Sequence, residues 1–250
     1  MGCIATGGGC PFHPLLLIDL PTYPIVWFPA GARRLALSRA AMYTSDPVPG
    51  TADSLRQLRR RLRALRRGLD PRTRAAHAAA MIRHLDRARL LRTAGRIALY
   101  VAADGEPDLS GLMTGPAAQR RRWYLPVLRG HAPGRLWFVR HRPGEPLRAN
   151  HYGIPEPARR HRRIAPLHAL DAILLPLVGF DADCNRLGMG AGFYDRSLAP
   201  LRRRRHWRRP LLIGIAHDCQ RVHRLAPRPW DVPLDAVVTE AQVYRRLPTP

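Results

Sequence analysis

The stretch best suited to chemistry is Asn185-Arg186-Leu187-Gly188-Met189-Gly190-Ala191-Gly192-Phe193-Tyr194-Asp195-Arg196-Ser197-Leu198. Its glycines alternate at 188, 190 and 192, so backbone N–H groups can approach an anion and adopt angles closed to other residues. A strand-like run precedes the loop and a helical pattern follows, which adds the favourable end of a helix dipole. Arg186 stands at the mouth as a fork for phosphate. Asp195 can hold a metal ion that bridges phosphates. The spacing is not G-x-G-x-x-G, which excludes the dinucleotide fingerprint. A plain flexible glycine loop is the alternative; the flanking Arg and Asp favour an anion site.

Acids are few, 18 in all, and only four are glutamates. Glu106 lies in the turn Asp104-Gly105-Glu106-Pro107 after a predicted strand. A carboxylate there can accept a bidentate hydrogen bond from an aminopyrimidine ring; equally, it can be a helix-entry acid at a favourable dipole end. Asp231, in Pro-Trp-Asp-Val-Pro, is a metal candidate only if the fold brings it near Asp195. Asp181-Ala-Asp183-Cys-Asn185 starts like a calcium loop, but Arg186 stands where glycine is required and Gly192 where glutamate is required, so Asp183 and Asn185 read as turn residues. His217-Asp218 makes no nucleophilic triad by itself, and no G-x-S-x-G elbow exists. His217 reads as polar packing at a strand end.

All 42 basic side chains are arginine; the chain has no lysine, and its formal net charge is +24. That excludes Schiff-base chemistry, pyridoxal-phosphate aldimines and a P-loop ending in Gly-Lys-Ser/Thr. Phosphate must be held by arginine, backbone N–H groups or metal. The charge invites a nucleic-acid reading, but the arginines are scattered in clusters at 59–61, 120–122, 159–163 and 202–205, with no zinc-finger spacing and no aromatic RNA-binding pattern. Anionic small molecules are the expected partners, on a solvated basic surface. Cys3, Cys10, Cys184 and Cys219 form no C-x-x-C, so neither a disulfide framework nor a zinc site is supported.

These residues need a frame. Residues 1–50 are rich in Gly and Pro and read as a disordered extension, with Met42 as a candidate start. The match of Met1-Gly2-Cys3-Ile4-Ala5-Thr6 to a myristoylation pattern is short enough to arise by chance. The apolar run 15–28 is too interrupted to span a membrane. Leu55, Leu58, Leu62, Leu65 and Leu69 follow helical spacing, with Asp53 as N-cap and the intervening arginines as a solvated face. Asp70-Pro71 starts a second helix, expected to reach about Leu91. Strands are predicted at 96–102, 123–128, 136–141, 171–180, 210–216 and 236–239, with a helix at 193–205. The alternation predicts a single-domain α/β fold, residues 51–250, with a largely parallel sheet.

At this point the chain resembles the 5-formyltetrahydrofolate cyclo-ligase (5,10-methenyltetrahydrofolate synthetase) family, bacterial members in particular, over residues 54–242. The matching blocks are Leu58-Arg59, Glu106, Tyr124-Leu125-Pro126 and Gly153-Ile154-Pro155-Glu156-Pro157. They continue with Phe180-Asp181, Arg186 through Arg196, Gln220, Trp230-Asp231 and Val237-Val238-Thr239-Glu240. The resemblance implies a three-layer α/β/α sandwich and a cytoplasmic enzyme, expected to be a monomer. It would use ATP and Mg2+ to close 5-formyltetrahydrofolate into 5,10-methenyltetrahydrofolate, with release of ADP and phosphate.

Carried over by motif, the nucleotide would touch Leu55, Arg56, Gln57, Leu58 and Arg59 in the first helix and the loop Arg186, Leu187, Gly188, Met189, Gly190, Ala191, Gly192, Phe193 and Tyr194. Arg186 and Tyr194 would serve catalysis. Val101 and Glu106 would line the folate pocket with Met189–Phe193, and Asp195 and Asp231 would bind magnesium. The implied route is attack of the formyl oxygen on the γ-phosphate, then of N10 on the resulting iminium carbon, with no protein nucleophile. This sequence departs from the family at Leu55, where many members carry lysine and Arg56 stands beside it. Ala191 replaces a common glycine, and Phe193 a common tyrosine. A basic nucleic-acid-binding protein and a same-fold relative with altered activity are the alternatives.

Overall fold

The computed structural model describes residues 52–129, 134–157, 163–203 and 209–247. The expected N-terminal extension and the candidate start at Met42 lie outside the described residues.

Helix α1, Ala52–Arg67, buries Leu58, Leu62 and Arg66 in succession. This differs from the predicted leucine face: Leu65 is 40% exposed and Arg66 is fully buried. The buried stripe therefore advances by four residues at each step, from 58 to 62 to 66, as a single contact line along a helix does. Asp53 lies inside the first turn instead of capping it, because the helix already starts at Ala52. Helix α2, Pro71–Arg87, has Asp70 as its N-cap; the carboxylate accepts the Thr73 N–H at 2.9 Å. It ends short of Leu91, because Arg89 takes a left-handed backbone (φ 53°) that no α-helix continues through.

Twelve strands follow among the described residues: β1 Arg96–Ala98, β2 Arg122–Leu128, β3 Leu136–His141, β4 Leu147–Ala149, β5 Pro155–Pro157, β6 Ile164–Ala165, β7 Ala172–Pro176, β8 Gly179–Phe180, β9 Arg186–Leu187, β10 Leu211–Ile215, β11 Ala236–Val238 and β12 Val243–Arg245. Eight form one sheet in the order β12-β11-β10-β7-β1-β2-β3-β6. Its centre, from β11 to β2, is parallel, and the pairs β11–β12, β2–β3 and β3–β6 at the margins are antiparallel. β2 and β3 are joined by a short link, which permits only the antiparallel pairing, whereas parallel neighbours need a crossover.

Alternate residues of the central strands face opposite layers. Ile97, Leu174, Ile213 and Val238 pack with Ala78, Met81 and Leu85 of α2. Ala98, Ile173, Leu175, Leu212 and Val237 pack with Leu198 and Leu201 on the other face. Leu198 ends helix α3, Phe193–Leu198, which continues as a 3-10 turn at Ala199–Arg203. The result is the expected α/β/α layering. The long helix predicted from 193 to 205 is broken because Pro200 has no N–H to donate back and its ring crowds the preceding turn.

Two predicted strands are shorter than expected. The run 96–102 leaves the sheet after Ala98 and enters a turn in which Asp104 and Gly105 both have positive φ, 54° and 78°. The apolar run 171–180 divides at Pro176 into β7 and β8, because its carbonyls turn to other partners: Leu177 O accepts from Arg66 and Gln220, and Val178 O from Gln220. β8 and β9 then form a hairpin over Asp181. The Asp181 carboxylate accepts the N–H groups of Asp183, Asn185 and Leu225. That use of its oxygens fits a turn rather than a calcium loop.

Candidate active site

The glycine loop runs from β9 into α3 at the carboxyl ends of the parallel strands, where ligands of such sheets lie. Gly190 and Gly192 have φ of 104° and 69°, so both occupy backbone space that L side chains avoid. Gly192 is the N-cap of α3 and provides no side chain to the free N–H groups. With six residues, α3 adds a small dipole, and side chains carry most of the local electrostatics.

Those side chains come from three places. Arg59, on α1, donates from Nε to the Gly188 carbonyl at 2.8 Å and so ties the helix to the loop. Arg186, the first residue of β9, pairs with Asp195 on α3. Its side chain is nearly buried, and its Nε has no hydrogen-bond partner among the described residues. Asp231 caps its own turn, accepting the Arg228 N–H at 2.8 Å. These groups, with Arg202 and Arg228, line one polar cavity of about 440 Å³. The cavity is crowded with positive charge: burial first, and then Arg228, depress the Arg59 guanidinium below its ordinary value.

A second, more apolar cavity of about 250 Å³ lies on the other side of the loop. Val101, Leu177, Met189, Phe193, Tyr152 and Tyr194 line it, with Glu106 as an acidic wall. The Tyr152 and Phe193 rings meet edge-on at 5.9 Å. Glu106 is held in place by the Ala103 N–H at 3.2 Å and by the Arg66 guanidinium at 3.4 Å. Burial pushes the Glu106 carboxyl up to about 7, against the opposing charge of Arg66. Burial also raises the Tyr194 hydroxyl, with Glu106 acting in the same direction, so Tyr194 stays a neutral hydrogen-bonding group. Arg186, Gly188, Gly190, Gly192 and Asp195 line both cavities, which makes the loop their shared wall.

Among the sequence-predicted residues, Leu55, Arg59, Arg186, Leu187, Gly188, Gly190, Gly192, Asp195 and Asp231 face the polar cavity. Met189, Ala191, Phe193, Tyr194, Val101 and Glu106 face the apolar one. Arg56, Gln57 and Leu58 line neither. On a helix Leu55 and Arg59 share a face, whereas the three residues between them turn away: Arg56 and Gln57 are exposed, and Leu58 joins the core with Leu62, Val178 and Leu187.

Sequence reasoning missed Arg66, Arg228, Tyr152 and Glu156. Arg66 belongs to an arginine-rich stretch that reads as solvated; the signal that finds it is the four-residue step from Leu58 through Leu62. Glu156 accepts the Leu128 N–H at 3.1 Å and bonds Asn150, which fixes the β5 side of the apolar cavity. The β4–β5 hairpin that carries Tyr152 is too short and polar to announce itself.

Two oxygen donors, Asp195 and Asp231, face one cavity whose other charges are arginines. That suits a hard cation such as Mg2+, which takes one or two carboxylates and completes its shell with water and phosphate oxygens. No helix among the described residues is long and apolar enough to cross a membrane.

The model of the 5-formyltetrahydrofolate cyclo-ligase family matches residues 51–240. The 5-formyltetrahydrofolate cyclo-ligase of Haemophilus influenzae is 37% identical over 182 residues, which covers 72% of this chain and 90% of the relative. The Escherichia coli K12 enzyme of the same name is 40% identical over 150 residues, covering 59% of this chain and 79% of the relative. Among solved structures, the 5,10-methenyltetrahydrofolate synthetase of Aquifex aeolicus superposes with a TM-score of 0.66 at 28% identity, over 78% of this chain and 94% of that one. With the family match and the shared fold spanning most of its length, the chain belongs to the 5-formyltetrahydrofolate cyclo-ligase family.

Proposed function

We propose that this chain closes 5-formyltetrahydrofolate to 5,10-methenyltetrahydrofolate at the expense of ATP, with magnesium, releasing ADP and phosphate. Membership of the family supports the reaction. The observation that carries the assignment of sites is the shared wall: one glycine loop borders an arginine-rich cavity and a more apolar cavity that has the Glu106 carboxyl in its wall. The nucleotide phosphates belong in the first and the reduced folate in the second, so the γ-phosphate and the formyl oxygen meet at the loop.

Each residue then has a task. Arg59 and Arg186 hold phosphate charge, Arg186 with a buried Nε still free to donate. Gly190 and Gly192 keep the wall thin enough for the two ligands to touch. Met189, Phe193 and Tyr152 enclose the flat ring system, and Glu106 bonds its polar edge. Magnesium held by Asp195 and Asp231 would neutralise charge across the phosphates. The formyl oxygen bonds to the γ-phosphorus as ADP leaves; N10 then bonds to the activated carbon and gives up its proton to solvent, and phosphate departs as the carbon–oxygen bond breaks. The protein acts by positioning and charge neutralisation, as in other phosphoryl transfers.

The deciding experiment follows the ultraviolet absorbance of methenyltetrahydrofolate formed by the purified chain. Product is expected only when ATP, Mg2+ and 5-formyltetrahydrofolate are all present. No product, or product without ATP, would overturn the proposal.

A further inference from the structure

His77, His217 and Glu240 come from α2, from the turn after β10 and from the turn after β11. One ligand-type atom of each lies within 4.8 Å of the other two. His77 Nδ1 is 3.0 Å from His217 Nδ1 and 3.6 Å from Glu240 Oε1. Ligands at the corners of a tetrahedron with zinc-type bond lengths are about 3.3 Å apart. The two separations bracket that value.

The atoms on the far side of two of these groups are already occupied. His217 Nε2 lies 3.2 Å from the Gly105 carbonyl, an acceptor, so Nε2 carries the proton and Nδ1 presents its lone pair to the cluster. Glu240 Oε2 accepts the Asp218 N–H at 3.0 Å, which leaves Oε1 turned toward His77. Backbone contacts of this kind orient metal ligands. A hydrogen bond between the histidines explains the 3.0 Å contact alone. It does not explain a carboxylate oxygen beside the same nitrogen, with its other oxygen tied to the backbone.

We propose that His77, His217 and Glu240 form a binding site for a divalent transition-metal ion of the zinc class, with a further position open to water. Two imidazoles and one carboxylate are the donor set such ions prefer, whereas Mg2+ prefers oxygen alone. Access is through His77 and Glu240, whose side chains are 24% and 15% exposed, while His217 forms the floor. The ion would join α2 to the turn after β10, directly behind Gly105 and its neighbour Glu106. This site is independent of the proposed reaction and of the Asp195–Asp231 pair.

The test is titration of the purified, chelator-treated full chain with Zn2+ against a chromophoric chelator, in excess Mg2+ so that oxygen-only sites are saturated. One equivalent of tight binding is expected, and Co2+ in its place is expected to give the visible absorption of a low-coordinate nitrogen–oxygen site. His77→Ala and Glu240→Gln are each expected to weaken binding by more than about tenfold, with His223→Ala, at an exposed histidine outside the cluster, unchanged. Circular dichroism establishes which variants fold, and either of the first two suffices. Absence of a stoichiometric equivalent, unchanged binding in a folded His77→Ala or Glu240→Gln protein, or equal loss in His223→Ala would overturn the proposal.

Discussion

Arg66 reaches Glu106 across 3.4 Å from a position with no solvent exposure, while the same guanidinium bonds the Asp104 carboxylate and the carbonyls of Asp104 and Leu177. One side chain thereby joins α1, the turn after β1 and the end of β7, the three walls that meet beneath the apolar cavity. Replacing it should act on stability and on Glu106 together. Arg66→Met leaves the Glu106 carboxylate without its ion-pair partner, and takes one donor each from the Asp104 carboxylate, which keeps Arg63 and Arg67, and from two carbonyls; breaking a buried pair in this way costs about 3–5 kcal/mol. Urea unfolding should show that loss, with Arg66→Lys intermediate because an ammonium cannot span all four acceptors. Because Arg66 lowers the Glu106 carboxyl against the effect of burial, the surviving variant should titrate Glu106 at higher pH. A wild-type unfolding midpoint in Arg66→Met would count against this role.

Glu106 also makes a prediction about pH. Burial raises its carboxyl from 4.5 to about 7, so the folded protein retains a proton that the unfolded chain has lost. The stability linked to that proton is fully present below pH 4.5 and is lost as pH rises through 7. The shift corresponds to at most about 3 kcal/mol. Glu106→Gln removes the titration, so its melting temperature relative to wild type should improve steadily between pH 5 and pH 8. A difference that stays flat over that range would contradict the assignment.

Asp104 has the opposite sign. Burial alone would raise its carboxyl, but hydrogen bonds from Arg63, Arg66 and Arg67 outweigh it and hold the group at about 2. Its contribution is present above pH 3.8 and lost as pH falls toward 2. Asp104→Asn should therefore be clearly less stable than wild type at pH 6 and should approach wild type in acid, as read by unfolding at the two pH values.

Removing Arg186 should leave the fold intact and remove most turnover. The loss of one principal electrostatic contact corresponds to about 3 kcal/mol in barrier, a fall in kcat on the order of a hundredfold. Steady-state kinetics on folded Arg186→Ala protein provide the check; wild-type turnover would sink the assignment.

Gly192→Ala places a Cβ at φ 69°, and that carbon would meet Arg196 Nη1 at 2.7 Å. The arginine can move, but the backbone cannot change its handedness, so about 1–2 kcal/mol of stability should be lost. Ala191→Gly relieves no strain, because Ala191 is not among the residues with positive φ, and should lose about 0.5–1 kcal/mol through the freer unfolded chain. Thermal unfolding of the two variants distinguishes backbone strain from simple loop loosening.

The helical spacing of α1, the Asp70-Pro71 entry to α2, the apolar central strands and the alternating glycines are all legible in the linear sequence, because each depends on contacts between near neighbours in the chain. The absence of lysine already confines phosphate binding to arginine, backbone and metal. Other features depend on which distant segments meet. Pro176 ends β7 where an apolar run continues, because the carbonyls beyond it are claimed by Arg66 and Gln220 from elsewhere. Arg66 is buried because the carboxylates of Asp104 and Glu106, about forty residues away, wait for it; locally, only the four-residue step from Leu58 through Leu62 sets it apart from its solvated neighbours. His77 and His217 touch across 140 positions of sequence. That one loop walls two cavities at once follows from the closing of the sheet and its layers, since a cavity is a property of surfaces brought together and no single segment contains it.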